Sequence, residues 1–316
     1  MSPASRGPEC EASGRPPAPD RAPDVAKPNG STFMATADAP MIVAAPPEPL
    51  PRGRRARRNR GLRKLALGVA GIVGFLLIWQ LLPILGIVNP AYFPTATETI
   101  AQLFVEFRDL EFWRNVGRTL TSWGIGLLIA TVLAVVLGTV IGLVPFLRRA
   151  THTTVEFLRP IPSVALIPLA ILMFGYQLQA ALLIIVFASF WQVFIQVLYG
   201  VADVDAVARD TARSFGLSRG SRIVNLVFPT ALPYLMTGLR LAATVALILA
   251  ITAEMFINVP GLGRAIMFAR EAGQWTTVYA LVIVTGMLGL LVNLVFRAIE
   301  RRSLSWHQSV RGEEVL

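Results

Sequence analysis

Six long apolar stretches, at Leu65–Val88, Val116–Val144, Pro160–Gly175, Ala180–Val201, Ala231–Ile257 and Thr277–Ile299, constrain this chain more than any other feature. A helix needs about 20 mainly apolar residues to cross a bilayer. In lipid, only helices and closed barrels satisfy their own backbone hydrogen bonds. Runs of this length therefore specify an all-α polytopic membrane protein with about six transmembrane helices. Only 15% of the residues are charged, against about 25% in soluble domains. The apolar residues also fall in blocks, which excludes a soluble protein with a large core. The third stretch is short and holds Pro160, Pro162 and Pro168, so it is expected to be kinked or tilted. Between the first two stretches, Pro94–Arg114 reads as an amphipathic helix lying outside, capped by Thr95 or Thr97.

The distribution of positive charge orients the spans. With six spans and the N-terminus inside, the inner segments carry nineteen Lys and Arg and the outer segments five, Arg108, Arg114, Arg118, Arg264 and Arg270. This bias predicts that both termini and the 202–230 loop are cytoplasmic. Eight of the basic residues lie in Arg52–Lys64, just before the first span. A nucleic-acid patch there is less economical than a topology signal in contact with anionic lipid. Twelve of the 22 prolines lie in residues 1–60, a composition that cannot bury enough apolar surface to fold. That segment is expected to be a disordered cytoplasmic tail. It lacks the pattern of a signal peptide, and Met34 and Met41 are alternative starts. Residues 61–303 form the transmembrane domain and 304–316 a cytoplasmic C-terminal tail. The single cysteine, Cys10, excludes a disulfide framework, and His152 and His307 stand apart without a ligand cluster, so no metal is expected.

No glycine-rich phosphate loop with a lysine, no Ser/His/Asp set and no metal-ligand spacing is present, so the chain does not read as an enzyme. The chemistry-bearing segment is the polar island Asp210–Pro229. Upstream, Val204, Ala208, Thr211, Ala212 and Phe215 share one helical face. Gly216 suits a left-handed helix stop. Ser218 or Ser221 then caps a second short helix that ends near Pro229.

This segment resembles the signature loop of bacterial ABC-importer permeases: Glu-Ala-Ala, three residues, Gly, nine residues, Ile-x-Leu-Pro. The corresponding residues are Asp210-Thr211-Ala212, Gly216 and Leu226-Val227-Phe228-Pro229, with Asp for Glu, Thr for the first Ala and Phe for Leu. Ala231–Arg240, Ala253-Glu254-Met255, Gly261-Leu262-Gly263 and Ala269-Arg270-Glu271 are similar to the nitrate/sulfonate/taurine branch. The resemblance covers roughly Leu65–Arg302. It implies a type I importer permease in the bacterial cytoplasmic membrane, paired with a second copy, most simply as a homodimer. It further implies a cytoplasmic ATPase dimer carrying ATP-Mg and an extracytoplasmic solute-binding protein. The ATPase would be met by Asp210, Thr211, Ala212, Arg213, Ser214, Phe215, Gly216, Leu217, Ser218 and Arg219. The substrate it implies is a small anion, a sulfonate, taurine or nitrate; close relatives also serve thiamine-precursor pyrimidines and aromatic acids.

Polar residues inside a membrane are costly and mark functional candidates. Gln192 and Gln196 share a face of the fourth span and are candidates for pathway lining or interhelical bonds. Arg240 and Glu254 lie fourteen residues apart in the fifth span, about 21 Å at 1.5 Å per residue, so each requires its own partner. Glu254 lines the pathway or bonds to the outer loop near Arg264 and Arg270, the structural role being preferred. Gly138 and Gly142 suit close helix packing. An ATPase-independent secondary transporter is the competing class. It would show inverted repeats or coupling carboxylates in the spans, and the only clear intramembrane acid is Glu254. A membrane scaffold or receptor component is a third class.

Overall fold

The structure, a computed structural model, describes residues 54–304, with side chains from Ala66 onward. The chain divides into a first unit, Met1–Arg60, and a second, Gly61–Leu316. Of the first, the described part is the start of helix α1 (Arg54–Ile84). The expected N-terminal tail otherwise lies outside the described residues, as does the C-terminal tail beyond Leu304.

Every element among the described residues is helical. After α1 come α2 (Ala96–Glu106), α3 (Leu110–Leu143), α4 (Pro145–Leu158), a 3-10 turn (Ser163–Leu166), α5 (Ile167–Phe174) and α6 (Leu178–Ala202). Then follow α7 (Ala206–Ser214), α8 (Arg219–Arg222), a π-helical turn (Ile223–Val227), α9 (Phe228–Ile257), α10 (Leu262–Glu271) and α11 (Trp275–Ser303). Among the described residues, five helices are long and apolar enough to cross a bilayer, and six spans result if α4 and the 3-10 turn with α5 form one broken span, bent by 84°.

That bend modifies the expectation of a single helix over 160–175. Pro160 and Pro162 remove two N–H donors in three residues, and a residue preceding proline is pushed out of the helical region. The chain turns there. What remains helical is α5, with Pro168 in its first turn, where the missing donor is tolerated. The separate helix α4 was not expected from the sequence, because Arg148, Arg149, His152 and Glu156 break its apolar run.

The core is built on α3, α6 and α9. On α3, Gly126, Ala130, Ala134, Gly138 and Gly142 recur every four residues, and all but Gly142 are buried. A Cβ at Gly126 would overlap Ile185, at Gly138 it would lie 2.9 Å from Val197 Cγ1, and at Gly142 2.9 Å from Val201 Cγ1. The constant offset between partners means that α3 and α6 run in the same direction in fixed register. The small-residue stripe lets the two backbones close, and in lipid that van der Waals fit replaces the hydrophobic drive. Gly200 and Gly238 do the same where α6 crosses α9: their ideal Cβ atoms would come within 2.8 Å of Ala231 Cα and 2.9 Å of Gln196 Cβ.

Helix α1 is nearly bare, with 6% of its spanning window buried inside the chain. It is held at its C-terminal end. Trp79 Nε1 donates to Pro94 O (3.1 Å), and Gln80 Oε1 accepts from the N–H and hydroxyl of Thr97 (3.1 and 2.8 Å). The rings of Trp79, Phe93 and Tyr279 meet at centroid distances of 5.4 to 6.3 Å. Aromatic rings concentrated at one level fit the membrane–water boundary. Helix α2 starts with a capping box in which Thr95 and Glu98 satisfy each other's backbone N–H, so Thr95 is the cap.

Arg240 finds its partner across the bundle: Nη1 donates to Glu300 Oε2 on α11 at 2.9 Å, with both side chains at least two-thirds buried. Replacing Arg240 with Leu leaves Glu300 unpaired and is expected to cost about 2 kcal/mol, between surface and buried ion pairs. The Arg240→Leu/Glu300→Leu pair should recover at least half of that. Thermal unfolding in detergent of the two single variants and the double variant measures it.

Candidate functional site

The candidate site sits at both ends of α9. At its start is the 202–230 segment, which folds as the two-legged hairpin the sequence implies. Asp205 caps α7 by accepting from Val207 N at 2.9 Å. The helix ends on Phe215 and then Gly216 at φ +69°. Leu217 N donates to Ala212 O (3.0 Å) and Gly216 N to Arg213 O (2.9 Å). This is the paired 6→1 and 5→2 closure of a Schellman motif, and its left-handed position suits glycine. Ser218 then caps α8, accepting from Ser221 N at 3.2 Å.

The second leg differs from expectation at its far end. It does not stop near Pro229 but passes through the π turn into α9 without a break. Phe228 N donates to Ile223 O, five residues back. Pro229 has no N–H, and its ring would press on the carbonyl four residues earlier in a regular α-helix. The wider turn relieves that conflict.

The hairpin buries almost nothing in its own chain. No residue of α7 or α8 is buried, and of the predicted face Val204, Ala208, Thr211, Ala212 and Phe215 only Val204 is. Phe215 is 79% exposed at the tip, and Leu217 is exposed beside it. Arg213 Nη1 lies 3.3 Å from Asp210 Oδ1, one helical turn away. Ser214 and Arg219 are also exposed. All ten predicted residues, 210–219, thus belong to one compact turn. Its base is closed by Tyr234 OH, which donates to Asp203 Oδ2 at 3.0 Å.

At the other end of α9, Glu254 is completely buried. Its Oε2 accepts from Thr119 Oγ1 (2.9 Å) and Gly263 N (3.0 Å), and its Oε1 lies 3.2 Å from Ser122 Oγ. Thr119 Oγ1 in turn accepts from Leu262 N at 2.9 Å. Helix α10 has Gly261 at its N-cap, with no side chain to satisfy its first amides. Glu254 of α9 and Thr119 of α3 perform that capping from neighbouring helices, their oxygens accepting from the Gly263 and Leu262 amides. Glu254 therefore bonds to the loop backbone and to α3, not to Arg264 or Arg270. The partners Thr119 and Ser122 escaped sequence reasoning, because nothing in α3 marks them. The glycines were visible: Gly261-Leu262-Gly263 reads as a turn, and both are needed for close approach. A Cβ on Gly261 would overlap the Glu254 carboxyl, and one on Gly263 would overlap Ile251 O. Above this cluster opens a cleft of about 530 Å³, lined among others by Glu111, Asn115, Arg118, Arg264, Phe268 and Gln274.

Gln192 and Gln196 are half-buried on α6, where it crosses α9 beside Gly238. Together with Arg240 and Glu254, they do not converge on one site. Arg240 is neutralised by Glu300 and Glu254 is enclosed.

The described residues thus form helices of membrane-crossing length with an exposed, self-capped hairpin between two of them. The sequence profile of the family described as binding-protein-dependent transport system inner membrane component matches residues 130–305, and the chain belongs to that family. It is a membrane-embedded permease subunit of an ABC importer and not itself an enzyme, the ATPase of such importers being a separate chain. Similar proteins include the taurine transport system permease TauC of Escherichia coli, 28% identical over 79% of this chain and 92% of that one. The bicarbonate transport system permease CmpB of Synechococcus elongatus is 29% identical over 76% and 92%. Among solved structures, an inward-facing form of the methionine ABC transporter MetNI superposes with a TM-score of 0.54. It covers 60% of this chain and 94% of its own at 18% identity, a likeness of fold. Membership of the family implies a multi-pass inner-membrane location, an ATPase, a binding protein and a paired permease.

Proposed function

We propose that the 202–230 hairpin is the cytoplasmic coupling loop of this permease, and that Asp210 to Arg219 form the knob received by the ATPase. The observation that carries this reading is the hairpin itself: rigidly closed by its own backbone, yet with Phe215 and Leu217 exposed and no residue of α7 buried. A helix with an apolar edge and no internal partner requires an external one. Two copies of the chain supply two knobs to an ATPase dimer carrying ATP-Mg, and a homodimer is the simplest assembly. Both termini then face the cytoplasm, in keeping with the positive-charge bias. The α10 end faces outward, toward the binding protein.

The solute is a small anion with a sulfonate or comparable oxyanion group. Support comes from the named solutes of the similar permeases, taurine and bicarbonate. Arg240 does not provide the attracting charge, since Glu300 cancels it. Selection of the solute rests mainly with the binding protein. The test is co-purification with the ATPase and uptake of labelled taurine, nitrate and bicarbonate into vesicles. Phe215→Ala is expected to weaken ATPase retention about tenfold, the effect of losing an aromatic anchor. Undiminished retention would remove Phe215 from the interface.

A further inference from the structure

The proposed coupling loop and the 530 Å³ cleft occupy opposite ends of one helix. Helix α9 has 30 residues, about 45 Å at 1.5 Å per residue. It is clamped along its length. Tyr234 bonds to Asp203 at the loop end, and Arg240 pairs with Glu300. Trp123 Nε1 donates to Ala243 O at 2.8 Å near the middle. Glu254 bonds to α3 and α10 at the far end. Helix α10 does not continue α9: the chain leaves the helix at Asn258, φ +61°, and reverses before α10 begins. Any displacement of α9 must therefore cross a chain reversal to move α10 and the cleft it borders.

We infer that Glu254 is the positioning residue that makes α10 move with α3 and α9, so that a displacement begun at the 202–230 hairpin reaches the cleft at the other end. Its two oxygens meet groups from two further elements, the Thr119 and Ser122 hydroxyls of α3 and the Gly263 amide of α10. The glycine at 263 brings the amide to the carboxyl, and the glycine at 261 leaves room for it. A side chain that merely filled this space would be apolar, because a buried carboxyl costs free energy unless its bonds are made. Every bond that the Glu254 carboxyl makes here joins one helix to another. Removal of the carboxyl leaves the Gly263 amide and the Thr119 hydroxyl without an acceptor inside the bundle, and an unpaired buried donor favours local opening. Helix α10 then keeps its Leu262 N–H bond to Thr119 Oγ1 and its apolar contacts through Leu262, Ile266 and Ala269, but loses its only bond to α9 from this cluster.

This inference rests on the coupling reading above, and one experiment separates the two. The permease–ATPase complex is placed in lipid nanodiscs, and hydrogen exchange is followed with and without ATP and vanadate. In the wild type, nucleotide should alter exchange at both 204–228 and 258–272. In Glu254→Ala the response at 204–228 should persist, while that at 258–272, about threefold in the wild type, disappears. Taurine carried per ATP hydrolysed should fall about tenfold. Glu254→Gln keeps an acceptor for Gly263 and Thr119 and should restore most of both readouts. Val284→Ala, in the buried core of α11, should lower thermal stability without changing taurine per ATP. An unaltered 258–272 response in Glu254→Ala overturns the inference alone. So does a Glu254→Gln variant as uncoupled as Glu254→Ala, or a Val284→Ala variant uncoupled to the same degree. A wild-type complex with no nucleotide response at 204–228 overturns the coupling reading and this inference with it.

Discussion

Arginine at Gly216 is expected to reduce uptake to background while the protein stays in the membrane in normal amount. Gly216 sits at φ +69°, where an L-residue costs about 1–2 kcal/mol. The Leu217-to-Ala212 and Gly216-to-Arg213 bonds that close the hairpin depend on that conformation. No neighbouring atom lies within 4 Å of a Cβ built there. The bundle is therefore untouched, and the damage is confined to the hairpin and to whatever it contacts. There, a bulky cation is placed at the centre of a surface that must fit a partner. Asparagine tolerates the left-handed region, so Gly216→Asn should retain most uptake. Vesicle uptake of taurine, normalised to membrane-inserted protein, compares the three. Wild-type transport by Gly216→Arg would remove the hairpin from the coupling role.

Alanine at Gly263 should be the most destabilising single-methyl addition in the bundle, at about 3 kcal/mol, the upper range for overpacking. The added Cβ would overlap the backbone oxygen of Ile251 and lie 2.8 Å from Glu254 Cβ and 3.0 Å from Met255 N. A backbone oxygen inside a helix cannot rotate aside as the end of a side chain can, so α10 must shift and its Glu254 cap must break. The matched control is Gly117→Ala in α3, where a Cβ meets nothing within 4 Å. It should be neutral or stabilising by up to about 1 kcal/mol, since alanine is the better helix former. Thermal unfolding of both in the same detergent decides the matter. Equal midpoints would mean that the outer cluster is looser than its geometry.

The spans and the hairpin were legible because both are local signals. Twenty apolar residues declare a span whatever surrounds them, and Gly216 with Ser218 declares a stop and a start within three residues. The third span was half legible: its prolines announced a distortion, but not that α4 and α5 would lie at 84° to each other. The roles of Arg240 and Glu254 were not legible. Their partners, Glu300, Thr119 and Ser122, lie 60, 135 and 132 residues away, and no spacing rule links such positions. The fourteen-residue separation correctly showed that the two do not pair with each other. The continuity of α8 with α9 was missed because proline usually ends a helix, and the π turn that accommodates Pro229 has no composition of its own.

That turn makes the heading of the hairpin a matter of counting. Each residue in an α-helix advances the direction of its side chain by about 100°. The five-residue π turn at Ile223–Val227 stores extra chain between α8 and α9, which sets the angle at which Phe215 is presented relative to the faces of α9. Rewound as an ordinary α-helix of the same length, this stretch would swing the knob roughly a quarter-turn about the α9 axis. The wide turn takes up the extra residue and so keeps Phe215 on its heading. Between Arg222 and Phe228, the winding of the chain is thus under tighter constraint than residue identity.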